Sequence, residues 1–303
     1  MIINILKKKH YRVNGGTKYY INCSGIEKET DSLIPEQIIK NTHDVSILKA
    51  VIHYSQHFKK NKNIVVKIAH KSKTNLKEYR ISQRLQDIPG FIKYICLFDC
   101  FDNTYNYISL NQKLPQKICT ADNIGNNDNN VLVAPYIKNG SIKHHSWNDT
   151  NAHVLKSLLN QCIISLMYAF TKHGFLHNDL HLDNILFKRT KMEYIHYTDI
   201  EIMTNGYKAI IMDFDNSFIG VDASQAISYF WSNLYNMLSR VKFDLKDKIT
   251  ALKNFDNIIL FISSAEVNKY EATRAKELIS MIESIQFVNS EPIKVQVYNP
   301  NDF

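Results

Sequence analysis

Phe175–Phe187 reads FLHNDLHLDNILF. Phe175 and Leu176 lead into a polar knot of His177, Asn178, Asp179, His181, Asp183 and Asn184, and Ile185, Leu186 and Phe187 close it. A short apolar run on each side predicts two buried strand-like pieces with a polar loop between them. Such a loop exposes functional groups while its flanks hold them steady. Further along, the apolar run Ala209-Ile210-Ile211-Met212 delivers Asp213-Phe214-Asp215. The two segments are expected to face each other and hold one site.

Working upstream, apolar residues at Leu155, Leu158, Leu159, Cys162, Ile163, Leu166 and Phe170 follow the spacing of one helix face. They predict a helix over 151–173, ended by Gly174. Val131–Tyr136 reads as a buried strand stopped by Pro135, and Lys138-Asn139-Gly140-Ser141 as a turn. That turn is the expected boundary between 1–137 and 138–303. Asn63–His70 is a strand signal with one lysine, Lys67, among β-branched residues. Thr74–Leu85 is a candidate helix with Glu78 in its middle, and Leu76, Tyr79 and Ile81 facing inward. Pro89-Gly90 marks a turn, and 91–101 reads as one strand or two short ones. Ile38–Tyr54 could be helical, Lys18–Cys23 a strand, and 111–130 an exposed polar loop. Downstream, 188–206 is a polar insertion ending in an Asn205-Gly206 turn. Helical patterns then cover 223–240, 246–263 and 266–285.

Composition bounds the function classes. The 303 residues are 45% hydrophobic and 22% charged, enough for a sizeable core. Net charge is +8, but the lysines are dispersed and not interleaved with aromatics, so no specific nucleic-acid binding is expected. The five cysteines are irregularly spaced and complete no zinc site. No apolar run is expected to reach the length of a membrane span, and a cytoplasmic location follows from these readings.

The chemistry of the knot points to an oxygen-loving cation. A carboxamide, Asn184, and a carboxylate, Asp213, suit Mg²⁺ or Mn²⁺, which also bind phosphate oxygens. Asp179 is then left to accept a hydroxyl proton. These are the parts that phosphoryl transfer from ATP requires.

His177-Asn178-Asp179-Leu180-His181-Leu182-Asp183-Asn184 resembles the catalytic loop H-x-D-x-x-x-x-N of the protein-kinase-like superfamily, and Asp213-Phe214-Asp215 resembles its D-F-G segment. Val65-Val66-Lys67-Ile68 resembles the strand carrying the ATP-contacting lysine, with Glu78 as its partner. The resemblance covers roughly residues 60–240. It implies an α+β, bilobal fold with a small β-rich N-lobe, a mainly helical C-lobe and ATP in the cleft. It also implies that Asp179 is the base, that Asn184 and Asp213 hold metal, and that Lys67 contacts the α/β-phosphates. The composition and the His-x-Asp-x-His loop are similar to serine/threonine kinases of large cytoplasmic DNA viruses, which implies host cytoplasm or virion. Each piece alone also has an ordinary reading. Lys67 could be an edge lysine, Glu78 a solvated glutamate, Asp213-Phe214-Asp215 a turn and His177 a core histidine.

Four departures bear on the substrate. No G-x-G-x-x-G is present, and Gly15-Gly16 and Gly25 are isolated. His181 stands where serine/threonine kinases carry a lysine, as in small-molecule phosphotransferases of the aminoglycoside and choline type. Asp215 replaces a glycine. Nothing like A-P-E follows Phe214, and the segment before Ala223 is very short. The leading expectation is a serine/threonine protein kinase acting on a protein substrate. A small-molecule phosphotransferase and a pseudokinase scaffold are the alternatives.

Overall fold

The structure, a computed structural model, describes residues 19–20, 33–42, 45–52, 62–70, 74–100, 114, 129–197, 200–250, 252, 256, 258–259 and 280–281. It has mixed α+β content, with a sheet-rich N-terminal region and helices later in the chain. Two compact units divide it: residues 1–83 with 93–136, and residues 84–92 with 137–303.

Among the described residues, the first unit holds a six-stranded antiparallel sheet with strand order β1-β5-β6-β4-β3-β2. Its strands are β1 (Tyr19–Tyr20), β2 (Leu33–Asn41), β3 (Val45–Ile52), β4 (Lys62–His70), β5 (Cys96–Cys100) and β6 (Asn129–Pro135). Helix α1 (Thr74–Arg84) follows β4. The two-residue period of a strand sorts β4 into faces. Ile64, Val66 and Ile68 enter a core with Leu33, Leu48, Ala50, Cys96, Phe98, Val131 and Val133. Each fully buried aliphatic side chain there contributes about 1.5–3 kcal/mol. On the other face Tyr79 of α1 packs with Leu97 and Leu132, and Leu76 and Tyr94 join them. Lys67 pairs in register with Leu132, so it shares that helix-bearing face.

The helix expected over Ile38–Tyr54 is not there; the described part of that span is the β2–β3 hairpin. Ser46, Leu48 and Ala50 are buried while Val45, Ile47 and Lys49 are half-buried, a period of two that the mixed apolar positions had disguised. β-branched Val45, Ile47 and Val51 favour the strand further. Thr42 closes the hairpin: its Oγ1 donates to Val45 O and accepts the Val45 N–H. The readings of 111–130, apart from Leu114 and the start of β6, of Lys18–Cys23 apart from β1, and of Gly15-Gly16 and Gly25 lie outside the described residues.

The second unit is built on helix α2 (Ala152–His173), whose side chains are buried from Ala152 nearly to its end. It is long and apolar enough to cross a membrane by length and composition, contrary to the expectation from sequence. However, 89% of its most apolar window is buried inside the protein, so that surface is spent on the core. Against it lies a two-stranded ribbon of β7 (Ile185–Arg189) and β10 (Tyr207–Ile211), paired antiparallel. The insertion between them folds back as a hairpin of β8 (Tyr194–His196) and β9 (Glu201–Met203), and turns at Asn205-Gly206 with both φ angles positive. Gln161 of α2 accepts the Ala209 N–H at 2.8 Å and donates to Tyr207 O at 3.0 Å. Ile211 N–H donates to Gly90 O and Ile92 N–H to Ile211 O, which ties 90–92 to this unit. On the β7 side Ile142 N–H donates to Ile185 O and Phe187 N–H to Gly140 O.

Helix α3 (Ala223–Leu245) runs past the expected end at 240. Thr250 is held beyond it by Asp149, through its N–H and its hydroxyl. The patterns over 246–263 and 266–285 fall mostly outside the described residues; Asp256, Ile258, Ile259, Ser280 and Met281 are helical.

Candidate active site

The polar loop is assembled entirely within the second unit. Gly174 ends α2 in the left-handed region (φ 57°, ψ 42°), and its N–H bonds back to α2 carbonyls. The chain then turns into Phe175 and Leu176, and Leu176 bridges Phe218. Leu182–Asn184 is one 3₁₀ turn that feeds β7. Of the two expected flanking strands, only β7 is a full strand; the first is a single bridge.

His177 is buried, and its Nε2 lies 2.9 Å from Met212 O. A carbonyl can only accept, so Nε2 carries the proton. Burial lowers the His177 pKa, with the Met212 hydrogen bond, Asp213 and Asp179 opposing that shift. The ring is therefore a neutral strut between the two segments. Asn184 Nδ2 donates to Asp179 O at 2.9 Å, and Met212 N–H donates to Asn184 O at 2.9 Å. The ribbon register, which ends at Ile185 and Ile211, thus sets Asn184 beside Met212 and puts Asp213 two residues past the end of β10. Asp213 has φ 65°, a conformation that costs an L-residue about 1–2 kcal/mol. Phe214 anchors it: fully buried, its ring packs edge-on to Phe175 and against His177.

The donor set fits a hard divalent cation. The amide nitrogen of Asn184 is committed to Asp179 O, which leaves its Oδ1 as the atom for a cation. Carboxylate oxygens of Asp213 and Asp215 lie within 4.8 Å of one another. All of these are oxygen donors, the class that Mg²⁺ and Mn²⁺ take. Asp179 has a half-exposed side chain and receives a 3.4 Å contact from Asn216 Nδ2. His181 lies with Nε2 3.8 Å from Asp179 Oδ1 and Nδ1 3.7 Å from Asp183 Oδ2. Asp179, His181, Asn184 and Asp213 are therefore brought together in one unit.

Lys67 and Glu78 are brought together in the other. The Lys67 ammonium forms an ion pair with Glu78, whose side chain is 1% exposed. Glu78 Oε2 also accepts the Tyr94 hydroxyl at 2.5 Å. Asn75 Nδ2 bridges Lys67 O and Asn130 O, fixing β4 against β6 at that point.

Two supporting residues escaped the sequence reading. Asn233 of α3 accepts the Asn178 N–H on Oδ1 at 2.7 Å and donates to Tyr229 O. Asn178 has φ 63°, so this bond holds the loop in a strained turn. The sequence signal for it was a polar residue on an otherwise apolar helical stripe of Phe230, Leu234 and Met237. Asn233→Ala strands a backbone N–H and is expected to cost about 1–3 kcal/mol. Asn233→Asp, which keeps the acceptor, should lose less; urea unfolding compares the two. Ser217, fully buried, donates its hydroxyl to His177 O at 2.9 Å. It is the sole hydroxyl residue between Phe214 and Ala223. Phosphorylation there would bury a dianion, so phosphate mapping of active protein is expected to find Ser217 unmodified, and Ser217→Asp should unfold the loop rather than activate it.

No protein-family model matches the chain. One relative is an uncharacterized protein, 098R, of Invertebrate iridescent virus 6, 42% identical over 73 residues. That similarity covers 22% of this chain and 12% of the relative's length.

Proposed function

We propose that the protein is a divergent, bilobal member of the protein-kinase-like superfamily that transfers the γ-phosphoryl group of ATP to Ser or Thr hydroxyls of a protein. The observation that carries this reading is the ladder end at which Asn184 pairs with Met212, the residue before Asp213, with Asp179 tied to Asn184 by its own carbonyl. The Lys67–Glu78 ion pair adds the cation expected to contact the α/β-phosphates. A divalent cation bound at Asn184 Oδ1 and the Asp213 carboxylate would neutralise phosphate charge. Asp179 accepts the proton of the acceptor hydroxyl as its oxygen forms a bond to the γ-phosphorus. The bond from that phosphorus to the bridging oxygen breaks, and its electron pair leaves on ADP. His181 lies beside Asp179, where a cationic side chain would balance charge on the transferred group.

A small-molecule phosphotransferase is the second reading, and His181 in place of lysine is what favours it. The viral relative supports a cytoplasmic or virion protein, and the dispersed lysines support action without nucleic acid. The test is incubation of the full chain with labelled ATP and Mg²⁺, offering dephosphorylated casein in one arm and small alcohols and amines in the other. Label in casein supports the first reading; label only in small molecules overturns it in favour of the second. ATP binding with no transfer in either arm overturns both and leaves a binding module.

A further inference from the structure

We infer that Asp183 is a positioning residue for His181, clamped by Lys143 and His144; this rests on the phosphoryl-transfer reading above. Its side chain is held by a segment about 40 residues away in sequence. Lys143 Nζ lies 2.8 Å from Asp183 Oδ2 and His144 Nε2 lies 3.0 Å from Oδ1, so each carboxylate oxygen has its own partner. The backbone explains the meeting. Ile142 N–H donates to Ile185 O, which sets the next residues, Lys143 and His144, alongside the 3₁₀ turn that contains Asp183. The hydrogen bond and charge of Asp183 in turn raise the Lys143 pKa, against a smaller opposing effect of desolvation.

The oxygen gripped by Lys143 is also the one nearest His181. Nδ1 of His181 faces Asp183 Oδ2 at 3.7 Å, and Nε2 faces Asp179 Oδ1 at 3.8 Å. These distances exceed a direct hydrogen bond, and a small movement of the ring would close them. One imidazole thus spans two carboxylates, one ring nitrogen to each. A lysine reaches a phosphoryl group as a flexible point charge. An imidazole must be aimed, and a fixed carboxylate behind Nδ1 aims it. Without Asp183 the ring is free to swing away from Asp179, and misplacement by about 1 Å can cost about 100-fold in rate.

A double-mutant cycle on the full chain tests this, using ATP, Mg²⁺ and dephosphorylated casein. Asp183→Asn is expected to lower kcat about tenfold or more while leaving KM for ATP within about twofold. Asp183→Glu should recover part of the loss, and Lys143→Met should show a smaller fall of the same kind. In a His181→Ala background, Asp183→Asn should have no further effect. Full additivity of the two changes, or a loss that falls on KM for ATP instead, overturns the inference. A second readout does not depend on turnover. In long-range ¹H–¹⁵N spectra the His181 ring signals should shift in Asp183→Asn and in Lys143→Met, but not in the remote control Asp149→Asn. Unmoved His181 signals overturn the positioning role even if transfer is observed. Moved signals in a protein that transfers nothing keep the positioning role and overturn the phosphoryl-transfer reading instead.

Discussion

Asp179→Ala is expected to reduce ATP-dependent transfer to a protein acceptor by about 10²–10⁴-fold, the usual contribution of a positioned general base. ATP binding should survive, because Asp179 touches the acceptor and not the nucleotide in the proposed arrangement. Its side chain is half-exposed, and its carbonyl, not its carboxylate, ties the loop to Asn184. The alanine variant therefore keeps that internal bond and should fold. Asp213→Ala makes the contrast. It removes a proposed metal ligand, so both transfer and the Mg²⁺-dependent part of ATP affinity should fall. Thermal shift with ATP, with and without Mg²⁺, separates the two variants. Equal transfer by Asp179→Ala and wild type would remove the base from the mechanism. Unchanged Mg²⁺ dependence in Asp213→Ala would remove the metal site.

The largest effect on stability is expected at Gly174. Its φ of 57° already penalises an L side chain. A Cβ there would also lie 2.2 Å from Val221 O and 2.7 Å from Val221 N, and both are backbone atoms that cannot swing aside. Gly174→Ala is expected to cost about 3 kcal/mol or more, in the range reserved for named steric failures. Gly140 is the matched control. It has φ 73°, but an added Cβ would meet no atom within 4 Å. Gly140→Ala should therefore cost only about 1 kcal/mol. Chemical denaturation measures both. Equal losses at the two glycines would show that backbone conformation, and not the approach of Val221, sets the cost.

What was legible in sequence follows from how local each signal is. Helix α2 was readable because its apolar period repeats over the whole helix, and Gly174 because a C-terminal glycine has a local cause. The strand around Lys67 was readable from its β-branched run. The polar loop at 177–184 stood out because its polar residues crowd between apolar flanks. The β2–β3 hairpin was misread because its half-buried face carries apolar side chains as well, which blurs a period of two into a mixed pattern. The Asn178 partner of Asn233 and the Lys143 partner of Asp183 were invisible for another reason. Each joins residues 40 or more apart in sequence, and a chain read in one dimension carries no sign of which polar residues will meet.

The ribbon of β7 and β10 has one further consequence, for the order in which the protein becomes competent. Neither strand is left with a bare edge. Gln161 and residues 90–92 occupy one border, and residues 140–142 the other. These border pieces come from distant stretches of chain, and contacts so far apart in sequence form late, after nearer ones have reduced the loop-closure cost. The ladder end that pairs Asn184 with Met212 is thus completed only when residues 90–92, 140–142 and Gln161 have docked on the ribbon. A nascent or partly unfolded chain would carry every residue of the candidate site and yet not its arrangement.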